Sequence, residues 1–204
     1  MDLFKLYLDQ NNNIIIQVSI WLLLIIVLGI IIYFLIAKRV YRYSLVKLNI
    51  NLGNVGSVEF RPNKTDLQIA HKIWTELITR KAAIPIDEEN DVVEEIYDSW
   101  YTLFQKVREF ISEIPAELVR NNKSTKEIVR IATLTLNDGL RPHLTKWQAR
   151  FRSWSTSKKE ELLNMTPQDL QKEYPEYKDL IKDLCKVNEQ LIQYSKELKR
   201  LIDK

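Results

Sequence analysis

Glycine is scarce in this chain, with four residues in 204. That scarcity excludes Gly-rich phosphate loops and argues against a sheet-rich or turn-rich fold. Cysteine is scarcer still: Cys185 stands alone, so neither an internal disulfide nor a cysteine-based metal cluster can form. A free thiol suits a reducing compartment. The chain also lacks a large surplus of one charge sign, since 30 Lys and Arg face 27 Asp and Glu. Any preference for a polyanion must therefore come from a local patch. Catalytic motifs are missing too, with no G-x-S-x-G, no H-E-x-x-H and no C-x-x-C. His71 and His143 fall on separate predicted helices without metal-ligand spacing. No enzymatic activity, cofactor or metal is expected.

Against these absences stands one long uncharged run. Ile14 to Ala37 reads IIIQVSIWLLLIIVLGIIIYFLIA. As a helix it would extend about 36 Å, enough to cross the roughly 30 Å hydrocarbon core of a bilayer. A cleaved signal peptide fits poorly, because the run is too long, its front is not basic and no small-x-small site follows. Asp2, Lys5 and Asp9 precede it, whereas Lys38, Arg39, Arg42 and Lys47 follow. The positive-inside rule then puts residues 1–13 outside and the remainder in the cytoplasm of a bacterial inner membrane. Trp21 and Tyr33 are expected to face lipid or the interface. Within the span, Gln17 and Ser19 could hydrogen-bond between helices and Gly29 could permit close approach, so these three mark the expected oligomer contact. One helix cannot enclose a pathway, and any channel requires several copies.

Beyond the span the period changes. Val46, Leu48, Ile50 and Leu52 alternate with Lys47, Asn49 and Asn51, which predicts a half-buried strand. Gly53-Asn54 can turn the chain and Ser57 to Phe60 can return as a second strand. An isolated hairpin is marginal in water, so it must pack on helices or join hairpins of other subunits. Residues 38–62 thus form a basic flank and hairpin, and 63–204 a helical domain.

In that domain Leu67, Ala70, Ile73, Trp74, Leu77 and Ile78 define a first helix. Asp87 to Ile114 reads as a second, ended by Pro115. Ser124-Thr-Lys-Glu127 matches a capping box for a third, which Asn137-Asp-Gly139 would close. Pro142 suits the first turn of a fourth. Thr166-Pro167 opens a short helix, and a last one begins near Pro175. In that last helix Tyr177, Leu184, Leu191 and Leu198 interleave with Leu180, Val187, Tyr194 and Leu201 at heptad spacing. It could pack on its own domain or form a coiled coil between subunits. The fold class expected is mainly α: a transmembrane helix, a juxtamembrane β-hairpin, and a cytoplasmic helical domain ending in a long amphipathic helix.

Two charged stretches are candidates for binding. DEENDVVEEIYD, Asp87 to Asp98, carries seven carboxylates. It could collect a divalent cation, but it matches no EF-hand spacing and suits a solvated helix start. It could also pair with the basic fourth helix. LRPHLTKWQARFRSW, Leu140 to Trp154, places Leu140, Leu144, Trp147, Phe151 and Trp154 within one arc about 80° wide. Its aromatics therefore read as packing residues rather than base-stacking platforms. Its cations Arg141, Lys146, Arg150 and Arg152, with His143 beside them, remain candidates for an anionic ligand, because arginine pairs bidentately with phosphate.

A short outer end, one spanning helix, a strand pair and a charged helical domain carrying RPHLTKWQARFRSW resemble the small membrane effectors of prokaryotic antiviral systems. The nearest of these is the membrane effector of Hailong-type defence, which is paired with a nucleotidyltransferase. The resemblance implies an oligomeric channel or membrane-disrupting effector in anti-phage defence. It also implies a cytoplasmic domain that binds a nucleotide or oligonucleotide made by the partner enzyme. A different reading of the same layout is a membrane-tethered scaffold that recruits a protein through the terminal heptads.

Overall fold

A computed structural model describes residues 4–8, 14–40, 45–50, 56–158 and 164–203. The chain divides into two compact units, Met1–Ser44 and Leu45–Lys204.

The first unit opens with antiparallel strands β1, Phe4–Leu8, and β2, Ile14–Val18, in a register pairing Phe4 with Val18 and Leu8 with Ile14. Helix α1 then runs Ile20–Val40. The helix expected from Ile14 therefore starts six residues later. Four β-branched residues, Ile14, Ile15, Ile16 and Val18, favour the extended backbone over a helical start. Ser19 begins α1, its carbonyl accepting from the N–H groups of Leu22 and Leu23 and its hydroxyl from that of Trp21 at 3.4 Å. Along α1 every large apolar side chain from Ile20 to Ile36 except Leu22 is exposed, at 46–68%. Among the described residues no helix is long and apolar enough to cross a membrane. The stretch Ile20–Ile36 covers only about 25 Å of helix axis.

The second unit is mainly helical. Strands β3, Val46–Ile50, and β4, Gly56–Phe60, form the expected hairpin, with Val46 opposite Phe60 and Ile50 opposite Gly56. Leu52 and the Gly53-Asn54 turn lie outside the described residues. Val46 and Leu48 are buried while Lys47 and Asn49 are exposed, as alternation demands. The hairpin packs on this chain's own helices: β3 lies on α8, Tyr177–Ile202, and β4 on α5, Lys123–Leu134. The Asn49 N–H donates to Glu197 Oε2 at 3.0 Å, tying one strand to α8.

Helix α2, Lys64–Ile78, is central and packs against α8, α5 and α3, Val93–Ser112. Asn63 and Asp66 form its capping box. Asp66 is fully buried, where the Ser124 hydroxyl donates to it, and Asn63 Nδ2 donates to Thr125 Oγ1 at 2.9 Å. The N-termini of α2 and α5 thus share one polar knot, with the carboxylate at their positive ends.

Three helix boundaries differ from the sequence expectation. Helix α3 begins at Val93 rather than Asp87, because Asp87 accepts from the N–H groups of Glu89 and Asn90 and holds the chain in a turn. Val92 offers no capping side chain, and Gln171 Oε1 accepts the Val93 N–H instead at 2.9 Å. Helix α5 is capped by Asn122, whose side chain accepts from Ser124 and Thr125, so Ser124 lies inside the helix. Nor does Asn137-Asp-Gly139 close α5. The chain continues through a π-helical turn, Thr135–Leu140, directly into α6, Arg141–Lys158. Pro142 lacks an N–H for the residue 138 carbonyl and its ring crowds it. The wider turn relieves this, with the Arg141 N–H bonding to Leu136 five residues back.

A short helix α4, Ala116–Asn121, was not anticipated, whereas α7, Pro167–Lys172, is capped by Thr166 as expected. Along α8, Leu180, Leu184, Val187, Leu191, Tyr194, Leu198 and Leu201 are all buried, and Tyr177 is partly so. The heptad stripe is therefore committed to this domain's own core.

Candidate functional site

Helix α6 carries the candidate cations, and its buried stripe decides which of them are available. The residues buried along it are His143, Trp147, Phe151 and Ser155, spaced four apart. His143 sits within that stripe, 2% exposed, rather than with the cations beside which the sequence puts it. Its Nδ1 lies 2.8 Å from Asp183 Oδ2 on α8, and its Nε2 lies 3.3 Å from the Tyr97 hydroxyl on α3. Trp147 Nε1 donates to the same Asp183 oxygen at 2.9 Å. Both contacts are satisfied when Nδ1 carries the proton and the Tyr97 hydroxyl donates to Nε2. Burial lowers the pKa of His143 against the opposing pull of Asp183, and burial raises that of Tyr97. Burial also pushes the Asp183 carboxyl up, but the hydrogen bonds from His143 and Trp147 outweigh it and hold the group below its ordinary value. This bridge joins α3, α6 and α8. Its imidazole cannot contact an external ligand, which corrects its place among the binding candidates. A histidine and tryptophan four residues apart are legible in sequence, but their carboxylate lies forty residues on.

The other four candidates divide into two pairs. At about 100° per residue Arg141 and Arg152 lie within roughly 20° of each other, whereas Lys146 and Arg150 lie roughly 120–180° away from them. Lys146 stands 4.3 Å over the Trp147 ring and, by its charge, helps hold Asp183 ionised. Arg150 acts electrostatically on Tyr174. These two look toward α8 and the chain before it.

Arg141 donates from Nε and Nη2 to Asn137 Oδ1 at 3.2 and 3.1 Å, with its guanidinium 4.9 Å over Phe104. Arg152 is exposed and makes no ion pair among the described residues. The five candidates thus do not converge on one pocket; only Arg141 and Arg152 share an open face.

The acidic stretch does not neutralise them. Its Asp91 pairs with Lys81 at 2.7 Å. The Asp87 carboxyl is held low by hydrogen bonds from the Asn90 side chain and the Glu89 backbone. Among the described residues no ion pair joins the stretch to Arg141, Lys146, Arg150 or Arg152. No group of three His, Cys, Asp or Glu residues suited to a metal occurs among the described residues.

Of the oligomer candidates, Gln17 lies in β2 opposite Lys5, not on the helix as expected. Ser19 caps α1 rather than lying within it. Gly29 is on α1, with nothing within 4 Å of the place its Cβ would take. No family model, curated protein or solved structure matches this chain.

Proposed function

We propose that this chain is a single-pass effector of a bacterial inner membrane, acting as an oligomer in anti-phage defence. In this reading α1 lies in the bilayer, the N-terminus is outside and Leu45–Lys204 is a cytoplasmic head. The head senses an anionic nucleotide or oligonucleotide, the product of a partner nucleotidyltransferase, and changes membrane permeability.

The observation that carries the reading is α1 itself. Fully burying one large apolar side chain gains roughly 1.5–3 kcal/mol, and α1 leaves nearly all of its own uncovered on every side. Hydrocarbon is the solvent that accepts such a helix. Its uncharged stretch Ile20–Ile36 covers about 25 Å. The shortfall of a few ångströms against the roughly 30 Å hydrocarbon core is met by local thinning of the bilayer. Gly29 offers a flat surface on which a second α1 can pack closely.

Ligand chemistry follows from spacing. Arg141 and Arg152 are eleven residues apart, about 16 Å along the axis. One small anion cannot touch both, whereas an extended polyanion can, which favours an oligonucleotide over a mononucleotide. The ligand gates the assembly only through a difference in its affinity for the closed and open states.

Dye-loaded vesicles carrying the full chain provide the test, with a short single-stranded oligonucleotide as the added probe. Release of dye that disappears in Arg141→Glu/Arg152→Glu supports the reading. Binding without release, or release that the double variant retains, rejects it.

A further inference from the structure

A groove of about 390 Å³ lies where α3, α6 and α7 meet. That volume is within the roughly 300–1,000 Å³ range of ligand-binding clefts. Its apolar lining comes from Val92, Phe151, Met165 and Leu170, and one wall carries Glu94, Glu95 and Asp98. None of these three carboxylates makes an ion pair among the described residues. Glu94 and Asp98 are moreover one helical turn apart on α3, a like-charge spacing that destabilises a helix slightly. Dipole stabilisation accounts for Glu94 and Glu95 in the first turn, but it does not reach Asp98. An independent feature lies in the same groove. Ser155 is 4% exposed, lines the cavity, and its hydroxyl has no hydrogen-bond partner among the described residues. That hydroxyl is not among the fully buried unpartnered atoms, so it stays accessible from the groove and open to an occupant's polar group.

We propose that this groove docks a basic amphipathic segment of a protein partner. Apolar side chains on one face of the segment enter between Phe151, Met165 and Leu170. Lysines or arginines on its flank meet Glu94, Glu95 and Asp98, and a polar group reaches Ser155. Charge complementarity selects this occupant: the wall repels nucleic acid and anionic lipid, and a purely polar cation would leave the apolar lining uncovered. The site carries the opposite charge to the Arg141–Arg152 face and does not depend on the membrane reading.

The purified full chain in mild detergent, with a photo-crosslinking amino acid at Met165, tests the proposal. The probe is a synthetic amphipathic helical peptide of leucine and lysine, and its control is a scrambled peptide of identical composition and charge. The amphipathic peptide should crosslink at least tenfold more strongly, and Glu94→Gln/Asp98→Asn should reduce that crosslink at least fivefold. The amide variants keep side-chain shape, and an unchanged melting temperature establishes that they fold. Equal crosslinking of the scrambled peptide, or no loss in the folded double variant, overturns the proposal.

Discussion

Helices α1 and α8 span 21 and 26 residues and meet opposite surroundings. Along α8 charged residues recur at every turn, so its apolar side chains form one stripe, which the head buries from Leu180 to Leu201. Along the described part of α1 no charge interrupts Ile20 to Ile36, no face is distinguished, and the same kinds of side chain remain exposed. Periodicity tells a helix which neighbour to take, and its absence leaves no preferred side for a protein core to cover. Leucine content alone therefore says little: the placing of charges between the leucines separates a helix with one buried stripe from one whose apolar side chains stay exposed all round.

The largest effect that should break this contrast is truncation within the stripe. Leu191→Ala is expected to destabilise the head by about 2–5 kcal/mol, the usual range for a buried leucine. The matching Ile31→Ala in α1 should leave the head's urea midpoint unchanged. Tryptophan fluorescence of the two variants measures both, and a comparable loss for Ile31→Ala would remove the distinction.

Next comes the bridge that holds α8 to α6. His143→Ala leaves a cavity and an orphaned Tyr97 hydroxyl, with Asp183 retaining Trp147 as a donor, for an expected cost of about 2–4 kcal/mol. The bridge also sets an acid limit. The folded pKa of His143 lies below its ordinary 6.5, so the fold favours the neutral ring. That contribution is complete above pH 6.5 and fades as pH falls below it. Asp183, also held below its ordinary 3.8, adds a contribution lost at lower pH still. Thermal melts of His143→Gln across pH 4–8 should show a shallower acid decline than the unaltered chain.

A smaller change is expected at Asn122, whose side chain caps α5. Asn122→Ala should cost roughly 0.5–2 kcal/mol, whereas Ser124→Ala tests the Asp66 knot instead. Smallest in stability is Arg152→Glu, within about 0.5 kcal/mol as for most exposed positions. Its expected effect is on oligonucleotide binding, read by fluorescence anisotropy.

Most helices of the head were legible in sequence because each needs one buried stripe, and the stripe's period is visible over a few turns. The hairpin's alternation at Val46 and Leu48 was legible for the same reason. What escaped sequence reading depended on contacts between distant segments or on competition at a helix end. Asn122 outcompeted Ser124 as a cap, and the Gly139 stop failed because Pro142 could be absorbed by a π-helical turn. His143 read as a ligand candidate beside the cations because Asp183 and Tyr97, which pull it inside, lie forty and forty-six residues away. Among the candidate ligand contacts, Arg141 and Arg152 lie on one face of α6 by wheel geometry, which is local. The apolar run at Ile14 to Val18 was misjudged as helix because hydropathy does not distinguish a β-branched strand from the start of a helix.

The measurement that bears most directly on the place of α1 is extraction of cell membranes with alkaline carbonate. The full chain should stay in the membrane pellet, and a variant with Ile25, Leu28 and Ile32 changed to Lys should move to the supernatant with its head still folded. Recovery of the unaltered chain in the supernatant would contradict the account.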